Sequence, residues 1–398
     1  NGNTFFARVF LPSIGDSSAL FAGVVRGVFP TFVVMDGLRA GGCVSPGLAR
    51  VDVLADHRIA SHLDDSERQV TALLARRLSP IASIEKDRLG SVIARLKKGP
   101  EGPRVMLAAH MDEVGFMVSH FTDSFVRFNP LGGWWGPRMI GLPVSIRTVR
   151  GDVPGVIASK NPFEMEEEER KGAFKAKDLF IDVGLFGKKK PGTLGIRPGD
   201  PVTPLCPFTV LSGGAYMAKA WDDRAGCAML VEAMRALAAA KRRNSVFGVG
   251  TVQEEVGIRG AVTSGYHANP DVCIVLEVDV AQDTPGSAPE SPGRLGEGAA
   301  ICVYDATLIP NTRLRDHVIA TAERKKIPHQ LSAVPFGGTD GGRVHLNARG
   351  VPTIVVGVPA RHIHSAASII CRRDFDAAVK LVVEVVRSLD EKAVAAFA

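Results

Sequence analysis

VFGVGTVQEEVGIRGA, residues 246–261, sets an uncharged apolar run directly ahead of two adjacent carboxylates, Glu254 and Glu255. The run is short, apolar and rich in Val and Gly, which reads as a strand buried on both faces. Such a strand delivers two acids to one place. Buried carboxylates are costly unless paired or bound to a cation, and neighbours repel. Consecutive residues point in different directions, so one acid can hold a cation while the other faces a reacting group. A solvated loop carrying two acids is the plain alternative for this stretch alone.

The sequence around it has the same character. A helix is expected over roughly 224–240, strands over DVCIVLEVDV (271–280), 329–336 and 352–357, and helices near 312–326 and in DFDAAVKLVVEVVRSL (374–389). Upstream, SERQVTALLARRL (66–78) has helical spacing with Ser66 as a plausible cap, and SIEKDRLGSVIARL (83–96) is a short polar strand signal. RVMLAAHMDEVGFMV (104–118) reads as one buried strand with its polar residues at one end. Alternating strands and helices imply an α/β fold with a mixed, mostly parallel sheet flanked by helices, and chemistry at the strand ends.

Residues 123–207 differ. Short β-like runs (FVRF, VSIRTV, VPGVIA, DLFIDVG) alternate with Gly and Pro turns, and only EMEEEERKGAFKAK (164–177) looks helical. The expected organisation is a main domain over 51–122 and 208–398, interrupted by a small barrel-like β domain at 123–207.

Composition narrows the function. The chain has 398 residues, 45% hydrophobic and 23% charged, enough for a large core and unlike a disordered segment. Its net charge of +6 would permit nucleic-acid contact, but the basic residues form no tract interleaved with aromatics. GKKKPG (187–192) reads as an exposed turn, so no nucleic-acid partner is expected. The six cysteines (43, 206, 227, 273, 302, 371) show no CxxC pair, which fits a reducing, cytoplasmic setting. ALFAGVVRGVFPTFVVM (19–35) is broken by Arg26 and Pro30, so no membrane span is expected. Residues 1–50, apolar and poor in acids, are set aside as an extension of unknown role, with organellar targeting as an alternative.

Five motifs of acids or histidines fall at strand ends or helix starts. His110 and Asp112 alternate along a strand, which puts them on one face and lets the carboxylate orient the imidazole. Asp222 and Asp223 precede a helix, where one acid would serve as a cap and the second exceeds that need. Glu254 and Glu255 follow the opening strand. Glu277 and Asp279 share a face of an apolar strand, with an ion pair to an Arg as the alternative, and His362 and His364 share a face of an extended segment. Each taken singly has a structural reading. Together, two His and several acids with no Cys form an N/O set suited to Zn, Co or Mn.

HMDEVGFMV, KAWDDRAGCA, VQEEVGIRGA, LEVDVA, FGGTDGG and RHIHS, in this order, resemble the di-metal aminopeptidases of the glutamyl aminopeptidase and tetrahedral aminopeptidase family, over roughly 60–390. The resemblance implies two divalent ions per subunit, Zn or Co. One would be held by His110, Asp222 and Asp279, the other by Asp222, Glu255 and His364, with Asp222 bridging. It implies Glu254 as general base, Asp112 orienting His110, and Asp340 of GGTDGG facing the substrate. It further implies short peptides as substrates and a homo-oligomer, a dodecamer built from dimers through the inserted domain. Phe163 and Ala366 depart from the family pattern at positions that are not ligands.

Two competing readings use the same residues. A di-metal carboxypeptidase or deacylase would need much the same ligands and is separated by free against N-acetylated peptides. A catalytically inert oligomeric scaffold is opposed by the presence of every expected ligand. A glycosidase fits poorly, because its carboxylates stand about 5 to 10 Å apart across a sugar.

Overall fold

The computed structural model describes residues 66–168, 172, 174–288 and 293–397. The extension at 1–50, the side chain of Ser66 and part of the charged stretch 164–177 lie outside the described residues.

Among the described residues the main sheet has eleven strands. They are β1 (Ala82–Lys86), β2 (Val92–Leu96), β3 (Arg104–His110), β10 (Thr209–Val210), β11 (Ala215–Ala218), β12 (Ser245–Thr251), β13 (Val272–Val280), β14 (Ala299–Asp305), β15 (His329–Val334), β16 (Thr353–Arg361) and β17 (Ser368–Cys371). Their order is β1-β2-β12-β3-β13-β16-β17-β11-β10, with β14 also pairing β16 and β15 pairing β14. The sheet is mixed. Its parallel pairs are β12 with β3, β3 with β13, β13 with β16, and β14 with β15, so parallel order occupies the centre and antiparallel pairing the flanks.

Strand parity divides the core in two. On β3, Val105, Leu107 and Ala109 pack beneath α1 (Ser66–Leu78), α2 (Trp221–Ala239), α4 (Thr312–Arg324) and α6 (Arg372–Ser388). Met106 and Ala108 face the opposite side, with residues of α3 (Arg259–Ala268) and the single turn α5 (Gly341–Val344). The second cover is short, and it leaves the strand ends on that face open to a cavity. Helix α2 is buried nearly all round, which a helix lying inside a large protein requires. Gly226 lets it lie close to β13: a Cβ there would stand 2.3 Å from both carboxylate oxygens of Asp223 and 2.5 Å from the Leu276 carbonyl.

The inserted unit is a closed barrel in the order β4-β5-β8-β7-β6-β9. Its strands are β4 (Gly115–Thr122), β5 (Phe125–Leu131), β6 (Pro143–Thr148), β7 (Gly151–Ser159), β8 (Leu179–Asp182) and β9 (Pro201–Pro204). It has its own core, in which Phe116 meets Phe128 edge-on at 5.0 Å. The barrel begins ahead of the expected boundary at 123. RVMLAAHMDEVGFMV is not one strand: β3 stops at His110, and β4 starts at Gly115 in the other sheet. Between them the Met111 amide binds the Thr251 carbonyl at 2.8 Å, which holds the turn against the end of β12. No described helix is long and apolar enough to cross a membrane.

Asn244, fully buried ahead of β12, closes the far end of α6 by donating to the Val386 and Leu389 carbonyls at 2.6 and 2.7 Å. Asn244→Ala removes both donors and should destabilise the protein by about 2 kcal/mol, seen as a lower urea midpoint at unchanged slope. A midpoint equal to wild type would mean those carbonyls find other partners.

Candidate functional site

Parity and register assemble the site. His110 continues the Met106–Ala108 side of β3, and on β13 Glu277 and Asp279 continue the Cys273–Val275 side. The β3–β13 register sets Val275 against Ala108, so Glu277 stands level with His110 and Asp279 lies two residues further along. On the other side of β13, Glu277 faces Gly357 of β16.

Asp222, in the first turn of α2, is the hub. Its Oδ1 lies 3.0 Å from His110 Nε2, and its Oδ2 lies 3.3 Å from His364 Nε2. Glu277 Oε1 is 3.7 Å from His110 Nε2, and Glu255 Oε2 is 3.5 Å from His364 Nε2. Two groups result, His110 with Asp222 and Glu277, and Asp222 with Glu255 and His364. In each, one donor atom per residue lies within 4.8 Å of the others. Asp112 braces this arrangement: its carboxylate accepts the Glu254 and Glu255 amides at 3.0 Å each and stands 3.4 Å from His110 Nδ1. Asp223 is fully buried and accepts the His110 and Gly226 amides at 3.1 and 2.8 Å, so it ties β3 to α2.

The electrostatics are those of an acid cluster short of positive charge. Burial, with repulsion from Asp340, Glu255 and Asp222, pushes the Glu254 carboxyl up to about 9 against the pull of His110. Burial, with the charge of Asp222, pushes Glu255 up to about 8. Burial would lower the His110 imidazole, yet Glu277, Asp112 and Asp222 hold it well above its usual value. Burial would raise Asp222, but hydrogen bonds to His110 and His364 keep it low. One buried oxygen, Glu255 Oε1, has no hydrogen-bond partner. Acids in excess, borderline nitrogen donors and an orphaned inward oxygen are what a pair of divalent cations would satisfy.

Of the residues singled out from sequence, His110, Asp112, Asp222, Glu254, Glu255 and His364 come together here. Two do not. Asp279 was expected beside His110 and Asp222, but Glu277 occupies that place, because it is the residue level with His110 across the ladder. Asp279 instead borders the cavity and accepts the Ser332 hydroxyl. Asp340 was expected to face substrate, but it is fully buried and accepts the Thr251 hydroxyl, while its neighbours Gly338 and Thr339 border the cavity. His362 and His364 do not lie in an extended segment: both have left-handed backbone, φ 62° and 53°, after β16 ends at Arg361. His362 lines the cavity without joining either group.

Sequence reasoning also missed a buried ion triad beneath the site. Lys219 Nζ and Arg224 reach the same oxygen of Glu113 at 2.6 and 3.5 Å, joining the turn after His110 to the start of α2. Both partners lie inside the motifs HMDE and KAWDDR, but nothing in one sequence pairs them.

Comparison with known proteins agrees with this geometry. The model of the M42 glutamyl aminopeptidase family matches residues 90–381. The glutamyl aminopeptidase of Lactococcus lactis subsp. cremoris is 35% identical over 317 residues, 78% of this chain and 88% of that protein. A TET aminopeptidase from a marine sediment archaeon of the Thaumarchaeota superimposes with TM-score 0.84 at 40% identity, covering 88% of this chain and 99% of that one. The TET1 peptidase of Pyrococcus horikoshii, described as assembling into a tetrahedron or a large octahedral shell, gives TM-score 0.75 at 27% identity, with coverage of 85% and 100%. The chain belongs to the M42 glutamyl aminopeptidase family.

Proposed function

We propose that this aminopeptidase is metal-dependent and removes N-terminal residues from short peptides, with Glu254 as general base. The observation that carries the reading is the pair of donor groups sharing Asp222, with Glu254 beside them and in neither. His110, Asp222 and Glu277 would hold one cation, and Asp222, Glu255 and His364 the other, Zn or Co by donor type. When bound, such cations acidify water and stabilise the charge developing on a peptide carbonyl. Glu254 takes the proton of the attacking water and returns it to the leaving amine. Its raised carboxyl suits both halves of that transfer, since a nearby dication opposes the shift and brings it toward neutrality. Asp112 holds the backbone of Glu254 and Glu255 and orients His110. By its likeness to the Pyrococcus horikoshii TET1 peptidase and to the dodecameric PhTET1 structure, at 27% identity each, the chain forms a homo-oligomer, for which we propose a dodecamer built from dimers.

Glu254→Gln should keep two ions per subunit and lose turnover of aminoacyl-p-nitroanilides by about 10² to 10⁴-fold. Unchanged turnover would remove Glu254 from the mechanism and favour another base. Wild type should spare the N-acetylated forms of the same substrates. Cleavage of capped and free forms alike would instead support the deacylase. Metal analysis separates the two strand acids: Glu277→Gln should lose an ion from each subunit, whereas Asp279→Asn should retain both. The reverse result would restore Asp279 as the ligand.

A further inference from the structure

The cavity bordered by the two donor groups has a volume of about 680 Å³ and continues past them along β13. Across the sheet from Glu277 and Asp279 the cavity is bordered by Gly357, level with Glu277, by Val355 and Cys302, which continue the core face of β16 and β14, and by Val334 and Val280, an apolar sleeve beside the two acids. Two carboxylates border this part. Asp305 is fully engaged: its Oδ1 accepts the Thr307 and Leu308 amides and the Thr307 hydroxyl, and its Oδ2 accepts Thr339. Asp279 is different. Its donors are the neutral Ser332 hydroxyl and the Val280 amide, and among the described residues no cation stands against it. A buried carboxylate without counter-charge is costly, and here it faces a space a ligand can enter.

Dimensions and charge then select the ligand. Asp279 lies two residues beyond Glu277, roughly 6.6 Å along the strand. An extended lysine side chain reaches about 6 Å from Cα to Nζ. Gly357 keeps the approach open, because a Cβ there would stand 3.3 Å from the Asp279 Cβ. The cavity's own guanidinium, Arg138, donates to the Ile363 carbonyl and comes from the segment whose Gly133 carbonyl binds His364, so it stands with the second donor group.

We propose that this sleeve receives the side chain of the peptide's first residue and that Asp279 selects a basic one, lysine or arginine. The inference rests on the aminopeptidase reading above. The methylenes of a basic side chain pack against the valines while its charged end pairs with Asp279. A glutamate in the same place meets a like charge, and a leucine leaves the carboxylate unpaired.

The test is kcat/KM for Lys-, Arg-, Leu- and Glu-p-nitroanilides with Zn- or Co-loaded wild type and Asp279→Asn. Wild type should prefer the basic pair over Leu by at least about tenfold, and the variant should lose about tenfold of that ratio. A wild-type preference for Leu or Glu, or a variant that lowers all four substrates alike, overturns the assignment while leaving the aminopeptidase intact. Silence across the panel would instead sink the aminopeptidase reading, and the sleeve is then judged by binding. L-Lysinamide raising the melting temperature of loaded wild type more than L-leucinamide, with the difference lost in Asp279→Asn, supports the pocket, and equal shifts overturn it.

Discussion

Repulsion among buried carboxylates is the constraint on which the site depends. Asp112, Asp222, Asp223, Glu254, Glu255 and Glu277 share one volume with two imidazoles. Two of the six are absorbed by the backbone, Asp112 through the Glu254 and Glu255 amides and Asp223 through those of His110 and Gly226. Of the other four, burial first, and repulsion from neighbouring carboxylates with it, raises the carboxyls of Glu254, Glu255 and Glu277. Two divalent cations would balance four carboxylates in charge. That balance explains why a chain so apolar elsewhere concentrates acids at the end of its central strands.

The fold holds this charge in place by making the surrounding backbone rigid. Parallel strands β12, β3, β13 and β16 end together on one side, so residues in or just after all four and the start of α2 converge. Gly226 brings α2 within reach of β13, and the Lys219–Glu113–Arg224 triad fastens the turn after His110 to the approach to α2. All three members are buried, so truncating one would leave an unpaired charge rather than merely lose a contact. The triad therefore fixes the spacing between His110 and Asp222 from below, and Asp112 fixes the Glu254 loop from the side.

How much of this was legible in the sequence varies with the range of the interaction. The helices and central strands were readable because periodicity is local, and the six gathered residues were readable because their motifs sit at strand ends. Register was not. Glu277 and Asp279 lie on the same face of the same strand, and only the pairing with β3 decides which stands level with His110. The continuous run RVMLAAHMDEVGFMV hid a change of sheet at Met111–Val114, because apolar residues continue across it to serve two cores. The family resemblance implied that Asp340, in its glycine-rich loop, faces substrate, yet its partner, Thr251, lies 89 positions away. The left-handed backbone at His362 and His364 likewise has no local signature in residues other than Gly or Asn.

The inserted barrel enters the site through the imidazole it orients. His364 Nδ1 donates to the Gly133 carbonyl at 2.9 Å, so Nε2 is the ring nitrogen turned toward Asp222 and Glu255. Arg138, from the same segment, donates to the Ile363 carbonyl at 2.9 Å and holds the backbone beside that histidine. His110 is set in the same sense, with Nδ1 toward Asp112 and Nε2 toward Asp222 and Glu277. Both rings thus present the same nitrogen inward. One is fixed from the sheet and the other from the barrel, so the insert contributes to the geometry of the second donor group.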